Sequence, residues 1–294
     1  MIITYLGPMG TFTEEAAIRL QPTGERRPID SLELVAQSLT DEGIEHDGER
    51  IQAELGVMAY YNRLKGLVQE CLDSIYERGL HIVGAQRLPI VLSIGTHPDA
   101  ESGSTIYTHP KAFAQSSVWL SEHVPGARFS DAGSTAGGAE YIGEGNSGFA
   151  IGPRIALEMY GLEIIAEGVE NEIKNGGVNF TDFYLVSREG VGEFVEGIDY
   201  QTMVAITPPE DRPGLLAEIL NQVAYHGINN AKIHSRPAID WVDIEEAQMF
   251  YLEMDTHEGS DDFRRCVDTL RYKLAQVNGD DVVRVLGSYP RPSL

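Results

Sequence analysis

The chain has 294 residues, 42% of them hydrophobic, and its 45 acidic against 22 basic side chains give a formal net charge of −23. That length and composition suit two domains with real cores and argue against disorder. The acidic field repels polyanions, which argues against nucleic acid and anionic membrane surfaces as partners. A small anionic ligand would need a local cluster of basic groups or helix N-termini.

Residues 2–6 read as a buried strand, and Gly7, Pro8, Met9 and Gly10 turn the chain into a helix from about residue 12 to 20, with Thr11 and Glu14 at capping-box spacing. The unpaired amides at this helix start suit a carboxylate, although the same residues also serve as a plain strand-to-helix turn. No basic leader precedes the first strand and no apolar run approaches membrane-spanning length, so a cytoplasmic location is expected. Cys71 and Cys266 each fall in an amphipathic helical pattern and are expected to be buried reduced thiols, with no metal site.

A helix at 31–39 precedes an acidic, glycine-bearing stretch at 40–54, read as a solvated insertion. A strand at 55–60 then opens into the loop Tyr61, Asn62, Arg63, Leu64, Lys65, Gly66, followed by a helix at 67–78. Arg63 and Lys65 are candidates for holding an anion. Strands are predicted at 80–83 and 88–94, with a crossing into another lobe near 96. There the rhythm repeats: a strand at 104–108, a helix from Pro110 to about 123, and a strand at 127–130. A helix capped at Ser134 and Thr135, a strand at 148–152, a helix at 153–160 and a strand at 162–166 follow, returning to the first lobe near 165. Asn179 to Phe183 follows a polar glycine turn, and alternation puts Phe180 with Asp182 on one face and Thr181 with Phe183 on the other.

After residue 188 a glycine and acidic linker, 189–198, leads into a different rhythm over 199–288. Strand, helix, strand, strand, helix and strand give the split βαββαβ plan, with two helices on one antiparallel sheet.

Several motifs now coincide: Gly7, Pro8, Gly10 to Thr13; Thr108, His109, Pro110, Ala112, Gln115; Ser134 to Ala136; Ile151 to Pro153 with Tyr160 to Leu162; and Asn179, Thr181, Phe183. With these the chain resembles the prephenate dehydratase family that carries a C-terminal ACT regulatory domain. The resemblance implies an α/β, two-lobed catalytic domain of the type II periplasmic-binding-protein kind over 1–188, followed by a ferredoxin-like ACT domain. It implies conversion of prephenate to phenylpyruvate, water and carbon dioxide in L-phenylalanine biosynthesis, with feedback by phenylalanine and no cofactor.

Carried over by residue, the resemblance makes Thr181, Asn179 and Phe183 the catalytic set, Thr181 contacting the departing ring hydroxyl. Gly10, Thr11, Asn62, Arg63, Lys65, Ser134 and Thr135 are its substrate-binding set. Gly214, Leu215, Leu216, Ala217 and His234, Ser235, Arg236, Pro237 match the two phenylalanine-binding motifs, and side-by-side pairing of ACT domains implies a homo-oligomer.

Three departures stand out. Asp182 replaces a family arginine, the loop at 61–66 has lost an acidic residue and gained basic ones, and His234 replaces a glutamate. One expectation is that charge has been exchanged across the cleft, with Arg63 or Lys65 supplying the cation lost at Asp182; the other is that Asp182 simply faces solvent. His234, if exposed, would change charge at about pH 6 to 7. A prephenate decarboxylase that retains the ring hydroxyl, or a non-catalytic amino-acid or prephenate sensor, remains an alternative reading.

Overall fold

The computed structural model describes residues 1–99, 103–172, 176–190, 194–237, 248–274 and 282–293. In chain order the first elements are β1 (Ile2–Leu6), α1 (Phe12–Leu20), β2 (Glu25–Ile29), α2 (Leu32–Ser38), β3 (Ile44–His46), β4 (Glu49–Ile51), β5 (Leu55–Asn62), β6 (Gly66–Leu67), α3 (Gln69–Glu77) and β7 (His81–Pro89). Next come β8 (Ser93–Thr96), β9 (Thr105–Thr108), α4 (Pro110–Gln115), α5 (Ser117–His123), β10 (Arg128–Asp131), α6 (Thr135–Gly143), β11 (Phe149–Gly152), α7 (Arg154–Met159), β12 (Glu163–Glu167) and β13 (Phe180–Ser187). The remainder is β14 (Tyr200–Ile206), α8 (Leu215–Tyr225), β15 (Asn230–Pro237), β16 (Gln248–Met254), α9 (Asp261–Leu274) and β17 (Val283–Pro290).

Two compact units emerge. One comprises Met1–Cys71 with Gln86–Phe183, the other Leu72–Ala85 with Tyr184–Ser293. The first unit holds two α/β lobes. Its first sheet has the order β2-β1-β5-β13-β7, and the second has β10-β9-β11-β8-β12. In the first, β1 runs parallel to β2 and β5; in the second, β9 runs parallel to β10 and β11. Parallel strands send their connections out at one carboxyl edge, so the turns after β1, β5, β9, β10 and β11 sit at the sheet edges where α/β folds place ligands. Both sheets are mixed: in the first, β6 pairs antiparallel with β5, and in the second, β8 pairs antiparallel with β11 and β12.

Hydroxyl caps start the helices, at Thr11 and Ser134 as expected and also at Ser31: they accept from the amides of Glu14, Gly137 and Leu34. Several boundaries differ from the sequence reading. Residues 40–54 contain a hairpin, β3 against β4, with Ile44 opposite Ile51 and both buried. Asp47 and Gly48 turn it with φ of 52° and 78°, the left-handed pair that a two-residue hairpin loop demands. The strands expected at 80–83 and 88–94 are instead β7 and β8, and the helix expected from Pro110 breaks at Ser116 into α4 and α5. Strand β2, unforeseen, pairs with β1.

In the second unit β14, β15, β16 and β17 form an antiparallel sheet ordered β15-β16-β14-β17. Helices α8 and α9 cover one face, their Leu215, Ile219, Val223, Phe263, Val267 and Leu270 packing with Val204, Phe250, Leu252 and Met254. The alternate residues Met249, Tyr251 and Glu253 turn to the other face and are also buried. That face meets residues of Leu72–Ala85 and the end of β13: Tyr251 OH donates to Asp73 Oδ1 at 3.1 Å, and Tyr289 OH and Tyr184 OH lie 2.8 Å apart. Cys71 and Cys266 are both free and buried, and no helix among the described residues is long and apolar enough to cross a membrane.

Candidate active site

Asn62, the last residue of β5, is the hub. Its Oδ1 accepts from the amides of Leu64 at 3.0 Å and Lys65 at 3.1 Å, folding the loop back on itself. Its Nδ2 donates to Thr181 Oγ1 at 2.9 Å and to the Phe180 carbonyl at 3.1 Å, with Asn179 Oδ1 at 3.4 Å. Since Thr181 Oγ1 accepts this bond, its own proton remains to be given to another acceptor. Thr181 is 9% exposed, so little water competes for it. The sequence-predicted Asn62, Asn179 and Thr181 are thus brought together.

Asp182 overturns both readings of its role. It is wholly buried, so it is not a solvent-facing strand residue, and its cation is neither Arg63 nor Lys65. Arg87 of β7 grips it with two bonds, Nε to Oδ1 at 2.6 Å and Nη2 to Oδ2 at 2.9 Å, while Tyr60 OH donates to Oδ2 at 3.4 Å. A buried carboxylate needs such a partner to offset desolvation. The Arg87 guanidinium also lies 3.9 Å from the centre of the Phe180 ring, which confirms that Phe180 and Asp182 share a face. Arg63 is used locally: Nη1 donates to the Val178 carbonyl at 2.9 Å, and its amide donates to the Phe180 carbonyl at 3.0 Å.

Lys65 neighbours Lys111 at the start of α4; burial, then the charge of Lys111, pulls the Lys65 pKa below its ordinary value. Two like charges brought close enough to repel suit an intervening anion. Phe183, expected in the catalytic set, is 2% exposed.

The carboxyl edges of the two lobes meet at Gly10. Its φ is +78°, and a Cβ there would lie 3.0 Å from the Ala156 Cβ and 3.6 Å from the Ala136 Cβ. Phe12 packs into the second lobe's core with Leu92, Ile106 and Ala112. The Gly10 amide, read from sequence as a seat for a carboxylate, is already bound to Glu14 Oε2 at 2.6 Å, so Gly10 serves close approach of the lobes. Thr11 Oγ1 accepts from the Glu14 amide at 3.4 Å and Ser134 Oγ from Gly137 at 2.8 Å. Thr135 packs against Gly152 at the end of β11. What Thr11, Ser134 and Thr135 leave for a ligand is the remaining first-turn amides of α1 and α6.

A cavity of about 640 Å³ opens beside Asn179, lined among others by Leu64, Ile90, Leu92, Ala114, Gln115 and Asn171. Asn171 holds the returning segment to the second lobe, its Nδ2 donating to the Ala114 carbonyl at 3.1 Å and its Oδ1 accepting from Val118 at 3.0 Å. Sequence reasoning placed Gln115 only in a motif and passed over Asn171; the last position of a short helix was the available signal for the first.

A match to the family model described as prephenate dehydratase spans residues 3–191. The chain belongs to the prephenate dehydratase family. Among its relatives is a prephenate dehydratase of Amycolatopsis methanolica, 33% identical over 238 residues that cover 80% of this chain and 73% of that one. Among solved structures, the prephenate dehydratase from Arthrobacter aurescens in complex with L-Phe has a TM-score of 0.78 at 29% identity, covering 99% of this chain and 90% of the other. The quorum-quenching acylase GqqA is as similar in fold, with a TM-score of 0.78 at 26% identity over 99% of this chain and 98% of that one. The prephenate dehydratase fold of the first unit accords with the two-lobed α/β architecture expected from sequence.

In the second unit, Gly214 caps α8 with φ 87°, Leu215 is buried in the core and Leu216 packs against it, and Ala217 is exposed. His234 pairs in register with Tyr251, Ser235 with Phe250, Arg236 with Met249 and Pro237 with Gln248. Because Ile206 also pairs with Phe250, the end of β14 that leads to α8 and the Ser235 to Pro237 end of β15 share one end of the sheet. Arg236 forms an ion pair with Asp73. Among the described residues, buried His234 Nε2 has no hydrogen-bond partner; burial, then Lys232, lowers its pKa, with Glu253 opposing. The expected charge change near neutrality is thereby displaced to more acidic pH.

Proposed function

We propose that this family member is a prephenate dehydratase, converting prephenate to phenylpyruvate, water and carbon dioxide under feedback from L-phenylalanine. The observation that carries the reading is the bond from Asn62 Nδ2 to Thr181 Oγ1, at 2.9 Å, inside a chain whose family is established. As the bond between the ring and its carboxylate breaks, carbon dioxide leaves and the electron pair aromatises the ring. The ring C4 hydroxyl departs and, with one proton taken up from solvent, becomes water. Thr181, with Asn62 occupying its acceptor side, donates a hydrogen bond to that oxygen and stabilises the charge developing on it. Lys65 and Lys111, with first-turn amides of α1 and α6, bind the carboxylates.

In the same reading, residues 1–188 are the catalytic domain, 189–198 the linker and 199–288 an ACT domain. The split βαββαβ topology supports that assignment, and phenylalanine would bind at Gly214 to Ala217 and His234 to Pro237. The protein acts in the cytoplasm as a homo-oligomer paired through this domain. Incubation with prephenate tests the proposal: phenylpyruvate supports it, a non-aromatic dihydro product indicates a decarboxylase, and no turnover indicates a sensor.

A further inference from the structure

Thr181 sits between two residues held by one guanidinium. Arg87 binds both carboxylate oxygens of the fully buried Asp182 on one side and covers the Phe180 ring on the other. The Phe180 carbonyl is in turn fixed by Asn62 Nδ2 and the Arg63 amide. Further along the segment that follows Arg87, the Ile90 amide donates to the Asn179 carbonyl at 2.8 Å. Residues 179 to 182 are therefore tied to β7 and its extension at one side and to Asn62 at the other.

A planar fork matched to a carboxylate fixes direction as well as distance, which an ammonium does not. A hydroxyl that must meet a leaving oxygen tolerates little misplacement. We propose that Arg87 is a positioning residue for Thr181: by clamping Phe180 and Asp182, it sets the register in which the Thr181 hydroxyl accepts from Asn62 and aims its own proton. The inference rests on the reading of Thr181 as the hydrogen-bond donor to the departing hydroxyl. It also gives the carboxylate at Asp182 a role within this chain, through a partner 95 residues away.

The test uses the full chain and the variant Arg87→Lys, which keeps the charge and loses the fork. Steady-state kinetics with prephenate, thermal unfolding, and the threonine methyl resonance of the ligand-free protein, assigned with Thr181→Val, are measured together. A folded Arg87→Lys variant is expected to lose about 10- to 100-fold in kcat with KM within about twofold, and to shift the Thr181 methyl. An unchanged kcat with an unmoved methyl would overturn the inference, as would a raised KM at unchanged kcat, which marks direct substrate binding. Should Arg87→Lys fail to fold, Phe180→Leu, which keeps the ion pair, decides by the same two readouts. Absence of phenylpyruvate with the wild-type protein would instead count against the dehydratase reading, leaving the methyl shift to decide whether Arg87 positions Thr181.

Discussion

Asn62 and Thr181, 119 residues apart in the chain, are joined by a 2.9 Å hydrogen bond in which the amide donates and the hydroxyl accepts. Replacing Asn62 by Ala removes the group that fixes the hydroxyl's direction and opens the Leu64 and Lys65 turn. The expected result is a fall in kcat for prephenate of about 10²-fold or more. Steady-state assay of Asn62→Ala beside Asn62→Asp checks it. Aspartate preserves the turn but offers Thr181 an acceptor, so it should restore folding without restoring rate.

Lys65 and Lys111 should act on binding. Lys65→Ala is expected to raise KM for prephenate with a smaller change in kcat, the pattern of lost binding common to ground and transition states. The lowered Lys65 pKa adds a pH signature. The folded group gives up its proton below its unfolded pKa, so the unfolded chain binds more protons between the two values and stability rises with pH across that window. Substrate binding should weaken as pH rises through the lowered value, and Lys65→Ala should flatten both profiles. KM and unfolding measured across alkaline pH provide the check.

His234 predicts behaviour on the acid side. Its pKa is lowered from 6.5 by burial and by Lys232, with Glu253 opposing and Tyr251 opposite it on β16. The unfolded chain therefore binds the extra proton first, and stability falls as pH drops through about 6.5 toward the folded value. His234→Leu should reduce that slope in pH-dependent denaturant unfolding. Some slope should remain, because burial also lowers the pKa of His257.

The second unit buries a carboxylate, Glu253, against Lys232 at 2.8 Å and Tyr289 OH at 2.7 Å. Tyr289→Phe deletes the hydroxyl donor to Glu253 Oε1 and the contact with Tyr184. A loss of about 1 to 3 kcal/mol is expected in chemical denaturation.

Gly10 combines a left-handed backbone with the Ala156 Cβ only 3.0 Å from where a side chain would begin. Gly10→Ala should destabilise the protein by about 1 to 3 kcal/mol and reduce turnover, as read by thermal unfolding and assay at one temperature.

Local rules carried much of this architecture into view. The Thr11 and Glu14 spacing foretold the first cap, and the return of glycine turns after short strands foretold the second lobe. The hairpin at Ile44 to Ile51 was also locally encoded, in Asp47-Gly48, but its acidic surroundings read as solvated surface. Asp182 was illegible for a different reason. Its meaning depends on Arg87 across a strand boundary, and nothing in the spacing of a β-strand says which distant cation will satisfy a buried carboxylate.

The central claim is that Thr181, held by Asn62, serves loss of the ring hydroxyl from prephenate. The most direct measurement follows product formation from prephenate by the wild-type chain and by Thr181→Val, with aromatic product and carbon dioxide quantified together. The account predicts equimolar phenylpyruvate and carbon dioxide from the wild type, and a rate lower by about 10²-fold or more for the folded variant. Carbon dioxide with a non-aromatic product, or a Thr181→Val enzyme as fast as wild type, would contradict it.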